Sequence, residues 1–154
     1  MEILVVVALF AIISIVAAQS LFTSLKGANK TDANSRVREN LDFALQIMSR
    51  HLHNAKQVTC SFSDRIDYID PSSGAGSFYL NTSGSDSYIA SASAQTRLTN
   101  SNVIVSSITF DCTDSPTGNV PTSITITATG RDNLTTAADN ASITTRTQVL
   151  LRTY

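Results

Sequence analysis

The chain has 154 residues with 12 acidic and 11 basic side chains, a formal net charge of −1, which is enough for one small domain or for one membrane segment plus a smaller module. Its basic residues, such as Arg36, Arg38, Arg50 and Lys56, are scattered, Trp is absent and aromatics are few. Nothing is therefore grouped to neutralise phosphates or stack bases, and nucleic acid is excluded as the expected partner.

The first element is MEILVVVALFAIISIVAAQSLFTSL. From Ile3 to Leu25 it is long enough for a helix to cross a bilayer, with Ser14, Gln19, Ser20, Thr23 and Ser24 as its polar interruptions. A cleavable secretory signal normally carries positive charge ahead of its apolar stretch and small residues at a cleavage site. Here the leading charge is the carboxylate of Glu2, which counts against that alternative and demands its own explanation.

A polar bridge, LKGANKTDANS, leads into RVRENLDFALQIMSRHLHNAKQV. Val37, Leu41, Ala44, Leu45, Met48, Leu52 and Ala55 recur at three- and four-residue spacing, the stripe of an amphipathic helix, and Phe43 and Ile47 are expected to widen it. Arg38, Glu39, Asp42, Gln46, Ser49, Arg50 and His53 make the wet face. No proline separates the two helical segments, so they form one rod of roughly 80 Å at 1.5 Å per residue, weakest near Gly27.

From Val58 the pattern changes to short β-branched runs. Strands are expected near QVTCSF, RIDYI, SFYLN, SYIAS, NVIVSSITFD, SITITATG and TRTQVLLRTY, and loops at DPSSGAGS and DCTDSPTGNVP. Ile124 and Ile126 alternate with Thr, as in an antiparallel sheet with one wet face. The fold class is α+β, a long helix packed on an antiparallel sheet, because strands and helices are not interleaved. The expected organisation is 1–25 as the apolar helix, 26–56 as its amphipathic continuation and 57–154 as a sheet-bearing head.

Cys60 and Cys112 are an even, widely spaced pair without a CxxC motif behind a membrane-type segment. They favour a structural disulfide in an oxidising compartment, with two buried thiols as the alternative. Such a bridge closes about fifty residues, for which chain entropy gives roughly 4 kcal/mol before strain. His51 and His53 diverge on a helix and are expected to be solvated residues near its negative end. Asp64, Asp67 and Asp70 lack the turn glycine and distal glutamate of a hand-type calcium loop. No nucleophile motif, paired catalytic carboxylates or phosphate-cradling loop occurs, so neither an enzyme nor a metal or cofactor site is expected. Sequons at Asn81, Asn133 and Asn140 mark candidate glycosylation sites.

The stretch EILVVVALFAIISIVAAQSLF resembles the N-terminal segment of type IV pilins and of the pseudopilins of type II secretion, with a glutamate ahead of a Leu, Val, Ile and Ala run. More loosely, RVRENLDFALQIMSRHLHNAKQV and TRTQVLLRTY are similar to the minor-pilin and J-type pseudopilin branch. The resemblance implies a pilin fold and a prepilin peptidase that cleaves a short leader after glycine and methylates the new terminus. Glu2 then pairs with the terminal amine of a neighbouring subunit. Ile3, Leu4, Val5, Val6, Val7, Leu9, Phe10, Ile12, Ile13, Ile15, Val16 and Leu21 form the core of a helical filament. A carboxylate in an apolar bundle strongly favours a cation, and setting register is the best-attested use of such pairs.

The chain as written departs from the family in two respects. Only Met1 precedes Glu2, where the family has a basic leader and several residues more, so Met1 is expected not to be the mature N-terminus. The helix-breaking proline of many major pilins is replaced by VAAQSLF, leaving Gly27 and nearby Ser and Thr to supply flexibility. The expected function is a non-catalytic filament subunit, single-pass in a bacterial inner membrane before assembly into an extracellular pilus. Its partners would be copies of itself or other pilins, the peptidase and the assembly machinery. A pseudopilin of a periplasmic pseudopilus is the first alternative, and a single-pass membrane-anchored binding domain is the second.

Overall fold

A computed structural model describes residues 2–60, 62–72, 74–84, 86–92, 96–115, 118–133 and 142–151. Glu2–Asn54 is a single 53-residue helix, α1, with no break at Gly27. It ends where the Ala55 amide donates back to the Leu52 carbonyl, and the Lys56 amide passes directly to the carbonyl of Ile69. That handover starts a five-stranded antiparallel meander: β1 (Gln57–Thr59), β2 (Arg65–Asp70), β3 (Gly74–Ser83), β4 (Asp86–Ser91) and β5 (Thr96–Arg97). A second meander follows: β6 (Val103–Ser115), β7 (Gly118–Asp132) and β8 (Ile143–Leu150). The α+β class holds, with two antiparallel sheets in place of the single sheet expected from the sequence.

The six stripe residues of α1, Val37 through Leu52, and Ala55 just beyond its end are all buried, against Ile66, Tyr68 and Phe78 of one sheet and Ile124, Ile126 and Val149 of the other. Strand alternation supplies these partners, since Ile124, Ile126 and Ala128 share the face of β7 that leaves Thr125 and Thr127 on the other side. Tyr68 stacks on Phe78 with centroids 5.0 Å apart. Phe43 corrects the expectation of a wider stripe: it is 58% exposed, because two residues past Leu41 it has turned about 200° round the axis, nearly opposite the buried line. It stands in a groove of about 600 Å³ between α1 and β8 with Glu39, Asp42, Thr145 and Arg146.

Two expected loops are mostly strand. In DPSSGAGS, Gly74 turns the chain with φ of 84°, and residues from Gly74 onward already pair with β2. Small residues are needed there, since a Cβ on Gly76 would lie 2.6 Å from the Tyr68 ring. In DCTDSPTGNVP, β6 and β7 extend toward one another until Ser115 pairs with Gly118.

Cys60 and Cys112 are bonded, with Cα atoms 6.6 Å apart. Cys60 follows β1 at the edge of the first sheet and Cys112 lies on β6 at the edge of the second, so the bridge joins the two sheets. Beside it the Phe110 amide donates to the Ser63 carbonyl at 2.8 Å, and the Ser87 hydroxyl donates to the Val105 carbonyl.

Candidate functional site

From Ile3 to Asp32 every residue of α1 is exposed, and the first buried position is Ala33. All twelve residues expected in a filament core lie in this free half, together with Phe22 and Leu25. They surround the helix completely, the pattern of a helix enclosed by an apolar medium. At roughly 1.5 to 3 kcal/mol for each large apolar side chain, fourteen left in water represent an unfavourable surface far larger than the stability of a small domain. This surface therefore requires a cover.

The polar residues of the segment suit such a cover. Ser14 donates its hydroxyl to the Phe10 carbonyl at 2.8 Å and Thr23 to that of Gln19 at 3.0 Å, so neither needs water. Thr31 does the same with the Gly27 carbonyl. The 23 residues from Ile3 to Leu25 span about 34 Å at 1.5 Å each, against about 30 Å of bilayer hydrocarbon. The apolar stretch is bracketed by Glu2 in the first turn and by Lys26 and Lys30 beyond Leu25.

A polar junction fixes where the free half begins. Arg36 reaches Asp132 at 3.3 Å, and the Asn40 side-chain carbonyl accepts from the Asn100 amide. Around the corner Arg97 binds Asp86 through two nitrogens, at 2.6 and 3.2 Å. It also donates to the carbonyls of Thr99 and Asn100, and lies 4.5 Å over the Tyr88 ring. Arg97 thus ties β4 to the crossing between the sheets. Its hydrogen bond holds the Asp86 carboxyl below the ordinary value of 3.8.

The remaining sequence candidates are dispersed. His51 corrects the expectation of a solvated helix end: it is half-buried near Tyr68 and Phe78, with Nδ1 3.5 Å from Asp70. His53 places Nδ1 2.8 Å from the Leu150 carbonyl on the opposite sheet. Asp67 pairs with Arg65 at 2.9 Å, and Asp64 is exposed before β2. Among the described residues no group of three His, Cys, Asp or Glu side chains is placed to hold a metal ion. Asn81 is half-exposed on β3 and Asn133 exposed after β7, while Asn140 lies outside the described residues. Asn29, in NKT, is a further sequon and is exposed on the free helix.

Compared with protein-family models, with curated proteins and with solved structures, the chain finds no match. What stands is the architecture: one long apolar N-terminal helix, capable of spanning a membrane, packed through its second half on disulfide-joined antiparallel sheets. It is compatible with a membrane-anchored, pilin-like protein.

Proposed function

We propose that this protein is a structural subunit of a type IV pilus or related filament, held in the inner membrane by its N-terminal helix and then polymerised through that same helix. One observation carries the reading: the free half of α1 exposes fourteen large apolar side chains around its whole circumference, below a folded head that uses none of them. Lipid covers such a helix before assembly, and neighbouring helices cover it afterwards. The head is then a display module with no catalytic role.

Glu2 separates this reading from a plain anchor. A carboxylate at the end of an apolar helix gains nothing from a bilayer, where a charge near the centre costs roughly 2.5 to 3.5 kcal/mol on the insertion scale. In a bundle of identical helices it marks the one axial position where a neighbour's terminal amine can meet it. A pseudopilin would use the same logic in a shorter filament.

The test is expression of the chain extended upstream of Met1 by a prepilin leader, in a bacterium carrying type IV pilus machinery, followed by carbonate extraction of membranes and immunogold microscopy of sheared surface filaments. The reading expects carbonate-resistant membrane protein and labelled filaments. Membrane protein with no label on any filament would leave only an anchored domain and sink the proposal.

A further inference from the structure

β8 is the last strand of its sheet, and among the described residues no strand pairs with its outer edge. In an antiparallel ladder every second residue turns its N–H and C=O away from the neighbouring strand, so this edge presents a row of backbone donors and acceptors that the sheet does not use. The other edges are short or closed. β1 and β5 run for three and two residues. β6 gives its outer side to the first sheet, where the Phe110 amide reaches Ser63 and the Val105 carbonyl accepts from Ser87. β8 carries no proline, glycine or lysine to guard its edge, and it keeps register with β7 from Ile143 to Leu150 without a bulge.

Beside this edge one flank of α1 walls the groove of about 600 Å³ in which Phe43 stands. Thr145, Thr147 and Val149 are on the helix side of β8, and Thr144, Arg146 and Gln148 face away. A strand added to β8 lies about 4.8 Å further out, so every second side chain that it carries enters the groove. From Glu39 to Ser49 the wall runs about 15 Å at 1.5 Å per residue, the length of about five strand residues. The space therefore suits one row of about two or three long side chains.

The edge specifies an extended backbone, and the wall selects its side chains. Glu39 and Asp42 are exposed there, and neither forms an ion pair among the described residues. Phe43 leaves more than half of its apolar ring open beside them. Lysine or arginine meets both features at once, with its stem along the ring and its cation at the carboxylates. An acidic row is repelled, and a short apolar row leaves the carboxylates unmatched. A second copy fits poorly, because two β8 strands paired about a two-fold axis through their centre set Arg146 against Arg146 and turn the acidic helix flanks toward each other. We infer that β8 accepts an added strand from a protein partner, an extended segment whose helix-side row is lysine or arginine. This surface does not depend on whether the chain forms filaments.

The experiment is a titration of the isotopically labelled full chain, in micelles of an uncharged detergent, with end-blocked peptides of the length of β8, followed by amide shifts. One peptide alternates threonine with lysine, a second alternates threonine with glutamate, and a third is the lysine peptide with its central threonines replaced by proline. Saturable shifts are expected at Thr144 to Gln148 and at Phe43 with the lysine peptide, and none with the proline peptide, which cannot complete the ladder. Glu39→Lys combined with Asp42→Lys should weaken the lysine peptide by about tenfold, the scale of two partly exposed ion pairs, and turn the preference to the glutamate peptide. Both substituted side chains are exposed, so the variant should unfold at the wild-type temperature, which separates lost binding from lost structure. No saturable shift with the lysine peptide, equal binding of the lysine and glutamate peptides, binding of the proline peptide, or shifts that spare β8 would each overturn the assignment. So would β8 shifts that follow protein concentration alone, which would give the edge to a second copy.

Discussion

Arg36 of the helix and Asp132 at the end of β7 meet at 3.3 Å, with the carboxylate only 3% exposed and its second oxygen, Oδ1, making no hydrogen bond. This contact sits three residues past Ala33, where the helix first becomes buried, so it braces the point at which the free rod leaves the sheets. Removing the guanidinium leaves a buried carboxylate without its cation, costly even though Arg36 itself is half-exposed. Arg36→Ala should destabilise the fold by about 1 to 3 kcal/mol, whereas Asp132→Asn should cost less, because no buried charge is stranded. Urea unfolding of the full chain in micelles, followed by near-ultraviolet circular dichroism, measures both. A greater loss for Asp132→Asn would refute the assignment.

The disulfide joins the sheets across their edges, so its loss should be felt at that seam. Reduction, or a double Cys60→Ser and Cys112→Ser substitution, should lower stability by roughly 3 to 4 kcal/mol on the chain-entropy estimate for a separation of 52 residues. Amide exchange at Phe110, whose proton is held by the Ser63 carbonyl, should accelerate more than exchange at Ile126 in the middle of β7. Equal acceleration at both sites would mean that the bridge stabilises the whole fold uniformly.

Arg97 makes the protein sensitive to acid at one named place. The Asp86 carboxyl titrates below its ordinary 3.8 because Arg97 hydrogen-bonds the charged form. As pH falls through this window the unfolded state takes up the proton first, so the stabilisation is present above about pH 4 and is lost as pH drops through the lower folded value. Between pH 5 and pH 3, Asp86→Asn should lose less stability than the wild-type chain in urea titrations. An identical loss in both would exclude this pair as an acid-labile contact.

Gly76 is held small by its neighbour. An added Cβ would lie 2.6 Å from Cζ and 2.7 Å from the hydroxyl oxygen of Tyr68, which is itself buried against Phe78 and cannot easily withdraw. Gly76→Ala should therefore cost about 1 to 3 kcal/mol, the usual range for overpacking. Gly27, with nothing within 4 Å of its added Cβ, should accept alanine with a small gain in helix stability. Thermal unfolding of the two variants side by side gives the comparison.

Much of the helix was legible because a 3.6-residue period is carried by seven consecutive stripe positions, and because no proline interrupts the rod. Phe43 shows the limit: its hydrophobicity suggests burial, yet its rotation about the axis decides otherwise. The strand runs could be read from alternation, but alternation says nothing of which strands share a sheet, and the division between β5 and β6 left no mark in the pattern. β5 itself is two residues long, too short for any period to register. The early start of β3 was hidden for a related reason. GAGS carries turn-type residues, and only the Tyr68 ring beside Gly76 reveals why a strand should be built from them. The cysteine pair was legible by count and spacing alone, without indicating that it would join two sheets.

The central claim concerns what covers the free helix, and Glu2 tests it most directly. Glu2→Ala is compared with the wild-type chain in cells carrying pilus machinery, scoring membrane-fraction protein and labelled, sheared filaments in the same culture. The filament account predicts equal amounts in the membrane and the loss of most filament label in the variant. Filaments that form normally from Glu2→Ala would contradict the register role and leave the helix as a simple anchor.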